Sequence, residues 1–483
     1  MSALPDHLML IDGELCAAAS GEWLVSENPA NEEPLGRVPL AGAADVDRAA
    51  RAAARAQPGW RALSAAERAD RLREVARRLL ERQAEILALE VQDTGNTIGK
   101  MRGDLAAATR LLDYYAGLGL EIKGETIPAT AQALHFTLRE PFGVVGRIVP
   151  FNHPIYFAVC ALAGPLTAGN CVVVKTPEQS PLSASILGEV CRDVLPPGTV
   201  NIVSGPGPLT GDALVRHPQV RRLAFTGSVP TGLAIQRAAA EVCVKHVSLE
   251  LGGKNPLVVF PDVDADRAAD AAVAGMNFAW QGQSCGSTSR LLVHDSIHDA
   301  VLERIAARVA AIRLGDPMDP ATQMGPINSR RHYERVRACV DSGLAEGATL
   351  VHGGKRPAGA AFARGHWLQP TVFADVHMGM RIAREEIFGP VLSVLRWREV
   401  DEVAALANAT EYGLTAAIWT QDVGAALKLG RRLDCGGVWI NATPTHHTGT
   451  PFGGTRNSGI GREECLEELL SYTQTKAFHV RLG

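Results

Sequence analysis

The chain has 483 residues, too many for one simple hydrophobic core, so two or three domains are expected. Its makeup, 46% hydrophobic and 21% charged, is that of a soluble globular protein. With 48 basic against 52 acidic side chains and a net charge of -4, it lacks the basic footprint of a nucleic-acid or anionic-membrane binder, so a small molecule is the expected partner.

The opening stretch "MSALPDHLMLIDGE" has no basic region followed by an apolar run and a small-residue cleavage site. No secretory signal is expected, and the cytoplasm is the expected location. Residues 44–100 are rich in Ala, Arg, Leu and Glu, with apolar side chains every three or four positions, as in "AERADRLREVARRLLERQAEILALEVQDTG". This spacing predicts amphipathic helices whose arginine-rich faces are solvated.

Residues 148–174, "IVPFNHPIYFAVCALAGPLTAGNCVVV", form the most apolar window. Asn152, His153, three prolines and a Gly-Asn pair interrupt it, which predicts a buried strand, helix and strand rather than a membrane span. Between 140 and 260, "VVGRIVP", "NCVVVKT", "GTVNIVSG", "RRLAFTG" and "KHVSLELGG" alternate with helix-length stretches. Continuous apolar strands with such crossovers predict a parallel sheet covered on both faces. Ligands lie beyond the carboxyl ends of the strands in sheets of this kind.

"NPLVVF", "SRLLVHD", a helix near 297–313, then "VLSVLRW", "LTAAIWT" and "GGVWIN" predict a second α/β domain. The tail "YTQTKAFHV" alternates like an edge strand that needs a partner, which points to oligomerisation. Nine cysteines, an odd number with no CxxC pair, argue against a disulfide framework or a structural zinc site.

One cysteine, Cys285 in "QGQSCGSTSR", stands among glycines and small polar residues that leave room around a thiol. Together with "PFNHP", "KTPEQSP", "FTGSVPTG", "LELGGKNP", "EEIFGPV" and "PFGGTRNSGIGRE", this segment resembles the aldehyde dehydrogenase superfamily. The motifs fall in the family's order and spacing, from about residue 11 to residue 478.

The resemblance implies a Rossmann-type parallel-sheet cofactor domain (1–123 and 142–252), a second α/β catalytic domain (253–457) and a small β oligomerisation arm (124–141 and 472–483), giving a homodimer or homotetramer. It implies Cys285 as nucleophile and Asn152 as oxyanion donor together with the Cys285 backbone N–H. Glu250 becomes the general base. Glu463 resembles a second carboxylate that relays the proton, and a structural ion pair explains it equally well.

For the cofactor, Lys175 and Glu178 match residues on the adenosine ribose, and Gly207 lies in the loop against the adenine. Gly227 and Ser228 start a helix that receives pyrophosphate, and Glu386 and Phe388 position the nicotinamide end. A carboxylate about 5 Å from a 2′-phosphate repels it by roughly 3 kcal/mol per charge at an effective dielectric of 20, so NAD is expected rather than NADP. Within "TPEQSP", Pro177 and Ser180 read as a turn and a helix cap.

Phe157, Cys160, His446 and Phe452 are placed along the substrate tunnel. With no evident carboxylate cage for a quaternary ammonium, that lining suits a neutral aromatic, cyclic or medium-length aldehyde. Betaine-aldehyde, semialdehyde and CoA-acylating relatives remain alternatives, although the acylating branch generally lacks the glutamate at 250. The His446-His447 pair has no carboxylate near it in sequence, and no metal is expected. Phe151, His153 and Ala161 depart from the family pattern, and Ala161 puts in doubt a proton route through a lysine at that position.

Overall fold

The computed structural model describes residues 4–442 and 444–482. β-branched runs without polar alternation form the centre of the first sheet. β1 (Val144–Ile148), β2 (Cys171–Lys175) and β3 (Val200–Val203) are buried along their whole length, as strands covered on both faces must be. β4 (Val220–Gly227) and β5 (His246–Leu251) join them, and the five run parallel in the order β5-β4-β1-β2-β3. Antiparallel pieces close the edges, with Gly459–Ile460 against β5 and Met9–Ile11 against β3.

The crossovers are helices: α1 (Pro154–Thr167) follows β1, α2 (Ser183–Val194) follows β2 and α3 (Val229–Ala240) follows β4. The apolar window therefore resolves into β1, α1 and β2, and no helix among the described residues is long and apolar enough to cross a membrane. Four helices, Ala43–Ala62, Ala65–Glu81, Gln83–Thr94 and Ile98–Gly117, precede the sheet. The second starts on a Ser64–Glu67 capping box and buries Leu72, Val75 and Leu79, while Arg77 and Arg78 pair with Glu74 on its solvated face.

A second parallel sheet contains β6 (Pro256–Val259), β7 (Arg290–His294), β8 (Thr371–Ala374), β9 (Val391–Trp397), β10 (Thr415–Trp419) and β11 (Gly437–Ile440), in the order β8-β9-β7-β6-β10-β11. Thr349–His352 caps its β8 edge antiparallel. Helix α4 (Arg330–Ala345) buries Val336, Cys339 and Val340 in this unit's core. The tail strand Thr473–Arg481 pairs antiparallel along the whole of Ala133–Pro141, with Thr126–Ile127 as the third strand. Phe136 and Phe478 stack across that pair at 4.8 Å.

Parallel register gathers the loops that matter. Ile148 is level with Lys175 and Phe225, and Thr226 with Glu250, so the carboxyl ends of β1, β2, β4 and β5 deliver Asn152, Lys175, Ser228 and Glu250 to one end of the sheet.

Candidate active site

Asn152 follows β1 and lies two residues before the start of α1, and it is buried. Its side-chain amide donates to the Gln283 carbonyl at 3.0 Å, and its own carbonyl accepts from the Asn96 amide at 2.9 Å. The segment carrying the cysteine is a tight turn in which Asn277 and Gln281 have positive φ of 56° and 52°. Such conformations cost of order 1–3 kcal/mol each and persist where the surroundings enforce them. Here the enforcement is visible, because Gln281 donates to the Gly95 carbonyl at 3.2 Å and Gln283 donates to Gln281 at 2.9 Å.

Beyond the cysteine, Asn255 donates to the Cys285 carbonyl at 2.6 Å and the Ser287 carbonyl at 3.0 Å, and accepts from the Thr415 N–H at 3.2 Å. The Cys285 backbone is thus clamped on one side by the first sheet's loops and on the other by the start of β6. Burial, then Glu250, Glu386 and Glu463, push the Cys285 thiol far above its ordinary value, with the Gly286 N–H opposing. At rest this sulfur carries its proton.

Glu250 lies near the end of β5, buried, and its Oε1 has no hydrogen-bond partner among the described residues. Burial raises its pKa well above the usual carboxylate range, with Glu463 adding to the shift and Arg462 opposing it. The strand can approach this closely because Gly459 pairs opposite Glu250 at φ 142°, and a Cβ there would stand 2.0 Å from the Leu249 oxygen. Glu463 lies 3.5 Å from the buried Arg147 guanidinium, and burial raises its pKa to about 7 against that arginine. Arg147 also donates to the Tyr472 hydroxyl at 2.6 Å, so the structural ion pair expected as one reading of Glu463 exists.

Around the cofactor motifs, Lys175 is buried at the end of β2, and burial pushes its pKa down to about 8 while Glu178 counters. Glu178 accepts from the Gly207 N–H at 3.1 Å, and space stands open where a side chain of residue 207 would be. Gly227 ends β4 and Ser228 is the N-cap of α3, but its hydroxyl engages Thr231 rather than the helix N–H groups. An uncapped helix start, an open glycine and a lysine whose charge acts on a nearby carboxylate together fit a dinucleotide. Ser180 corrects the cap reading: its hydroxyl donates to the Phe151 carbonyl at 2.9 Å, tying the β2 loop to the β1 loop.

Glu386 accepts from the Gly253 N–H at 3.2 Å, and burial raises its pKa to about 7. A Cβ on Gly252 would stand 1.9 Å from Glu386 Oε2, which is why the turn after β5 needs glycine. Phe388, with φ 54°, accepts through its carbonyl from His332 at 2.6 Å, and its ring meets Phe151 and His332 at 5.8 Å each. Burial pushes the His332 pKa down to about 4, so the imidazole is neutral and places its N–H on that carbonyl.

Phe157 and Cys160 occupy one face of α1 with His153 and Tyr156, and His153 meets the Trp280 ring at 4.4 Å. His446 stands 4.4 Å from the Phe452 ring. The two groups meet because the Tyr156 hydroxyl donates to Glu464 Oε1 at 3.0 Å, and the His446 imidazole lies 2.9 Å from the same oxygen. This corrects the expectation of no carboxylate near His446. Mutual hydrogen bonds between Phe452 and Glu463, and one from Gly449 to the Glu464 carbonyl, fold residues 446–464 back on themselves. Burial opposes protonation of His446 and Glu464 overrides it, raising its pKa. Among the described residues no group of three or more His, Cys, Asp or Glu is placed to hold a metal.

Sequence reasoning missed Asn96, Asn255, Gln281, His332, Tyr156 and Glu464. Asn255 and Gln281 lay inside the motifs "LELGGKNP" and "QGQSCGSTSR" and Tyr156 inside the apolar window, but Asn96, His332 and Glu464 had no local pattern to mark them.

Residues 16–478 match the model of the aldehyde dehydrogenase family. An aldehyde dehydrogenase, tropH, of Talaromyces stipitatus is 44% identical over 489 residues, spanning 100% of this chain and 95% of its own. The crystal structure of an NAD-dependent aldehyde dehydrogenase from Sinorhizobium meliloti superposes with a TM-score of 0.96 at 39% identity, over 99% of this chain and 95% of that one. The NAD+ complex of an aldehyde dehydrogenase from Bacillus cereus gives 0.96 at 37% identity, over 99% and 97%. By sequence along nearly its whole length and by fold, the chain belongs to the aldehyde dehydrogenase family.

Proposed function

We propose that the protein oxidises a neutral aromatic, cyclic or medium-length aldehyde to its carboxylic acid through a thioester on Cys285. The observation that carries this reading is the convergence of a half-buried thiol, an amide pinned two residues before it and a carboxyl whose field acts on that thiol. NAD is the cofactor, and when bound it supplies the hydride acceptor.

Lys175 and Glu178 hold the adenosine ribose, Gly207 borders the adenine, Gly227 and Ser228 present the N–H groups of α3 to pyrophosphate, and Glu386 and Phe388 position the nicotinamide end. Glu250, once ionised, takes the proton from Cys285, and the thiolate adds to the carbonyl carbon. The second N–H of the Asn152 amide and the Cys285 backbone N–H stabilise the oxyanion. Collapse of the adduct expels hydride and leaves a thioester. Once that first proton has passed to solvent, Glu250 takes a proton from water, whose oxygen attacks the thioester; the acid leaves and the departing sulfur takes the proton back from Glu250. A base at 250 works against transfer of the acyl group to CoA, because it speeds hydrolysis of the intermediate.

Rings from Phe157, Trp280, His446 and Phe452 supply the apolar contacts for the substrate body. The arm exposes Ile127, Leu134, Leu138 and Val480 beside its paired strands, which supports assembly of a homo-oligomer through this surface. A panel of aldehydes with NAD and no CoA, followed by NADH absorbance and acid analysis, tests the reading. Aromatic and medium-length aldehydes should give acid with the highest kcat/KM, whereas NADH formation that depends on CoA would overturn it.

A further inference from the structure

We propose that Arg331 reads the 2′ position of the adenosine ribose, so that the enzyme accepts NADP as well as NAD; this rests on the placement of Glu178 at that ribose. Glu178 belongs to the loop after β2, and Arg331 to the first turn of α4 in the other sheet's unit. The guanidinium reaches across to 3.5 Å from Glu178 Oε1, with the arginine side chain 81% exposed and the glutamate 25%.

Its neighbours on the helix are spent elsewhere. Arg330 pairs with Glu32, and Arg335 donates to the Glu386 carbonyl at 2.9 Å. Arg331 has Glu178 as its one ion-pair partner among the described residues. Lys175, at the end of β2, also acts on Glu178 through its charge.

Glu178 alone would repel a 2′-phosphate. Two cations act on it, however, Arg331 at 3.5 Å and Lys175 through its field, so their charges outnumber that of Glu178 by one. An exposed arginine is free to exchange partners, and its planar fork suits a phosphate better than a single carboxylate oxygen. When Glu178 turns aside, Arg331 takes the phosphate in its place. When NAD binds, the ion pair holds Glu178 ready for the ribose hydroxyls.

Calorimetric titration of the purified full chain with NAD and with NADP, without aldehyde, reads this directly. Loss of one charge-assisted contact predicts that Arg331→Ala weakens NADP binding about tenfold and leaves NAD within about twofold, with Arg331→Lys intermediate. Glu178→Ala should tighten NADP about tenfold when Arg331 is present and less when it is also replaced. An Arg331→Ala protein with unchanged affinity for NADP, while Glu178→Ala shifts the preference, would overturn the role of Arg331 alone. If Glu178→Ala alters neither affinity, the ribose assignment falls and this proposal falls with it.

Discussion

The Asn152 side-chain amide donates to the backbone carbonyl of Gln283 at 3.0 Å, joining the loop after β1 to the cysteine turn two residues before the sulfur. Asn96 holds the Asn152 carbonyl from behind, so the proposed oxyanion donor is fixed at both ends before any substrate arrives. Donors fixed in advance stabilise developing charge without reorganising.

Asn152→Ala should therefore lower kcat by about 10²–10³, the usual cost of removing one oxyanion donor, with the affinity for NAD unchanged. Single-turnover NADH formation beside an NAD titration checks this. A wild-type rate would remove Asn152 from the oxyanion site.

Cys285→Ala should abolish NADH formation from every aldehyde while NAD binding survives. The substitution removes the sulfur but leaves the Asn255 bonds to the 285 and 287 carbonyls in place, so the fold should be unaffected. Turnover above background in the variant would show that another group attacks the carbonyl.

Glu463→Gln should move the rising limb of the kcat profile to lower pH. In the proposed mechanism Glu250 acts as the carboxylate, and its pKa is raised by burial and then by Glu463, so activity should rise as pH passes through that elevated value. Removing the Glu463 charge removes the second of those causes and leaves Arg147 without that partner, and both changes favour ionised Glu250. A limb that stays in place, or moves upward, would dissociate Glu463 from the titration of the base.

Asn255→Asp should cost both stability and rate. An aspartate still accepts from the Thr415 N–H but donates nothing to the Cys285 and Ser287 carbonyls. Leaving buried acceptors unpaired costs about 1–3 kcal/mol per group, so a fall in Tm together with a lower kcat is expected. A fall in Tm with no change in kcat would mean that the clamp serves folding alone.

The parts of the site visible in the sequence are those written in consecutive residues at strand ends. Continuous apolar strands announced a parallel sheet, so Asn152, Lys175, Ser228 and Glu250 could be expected at its carboxyl ends. The small neighbours of Cys285 announced the space around a thiol.

What escaped depends on contacts between distant segments. His446 and Glu464 meet only because a bridge between Phe452 and Glu463 folds the chain back. Arg331 meets Glu178 across two separate sheets, and nothing in "NSRRHYERV" distinguishes it from the arginine before it. Ser180, read as a cap, instead bonds the Phe151 carbonyl, because β1 and β2 are neighbours and their loops are within reach.

The central claim is a thioester on Cys285 that Glu250 helps to hydrolyse. Mass spectrometry of the Glu250→Gln protein, quenched during turnover with NAD and an aldehyde that the wild type oxidises, tests it most directly. NADH should form more slowly than in the wild type, because the thiol loses its base as well, and nearly stop after about one equivalent, with the acyl mass retained on the peptide containing Cys285. A variant that turns over at the wild-type rate at neutral pH with no acyl adduct would contradict the account.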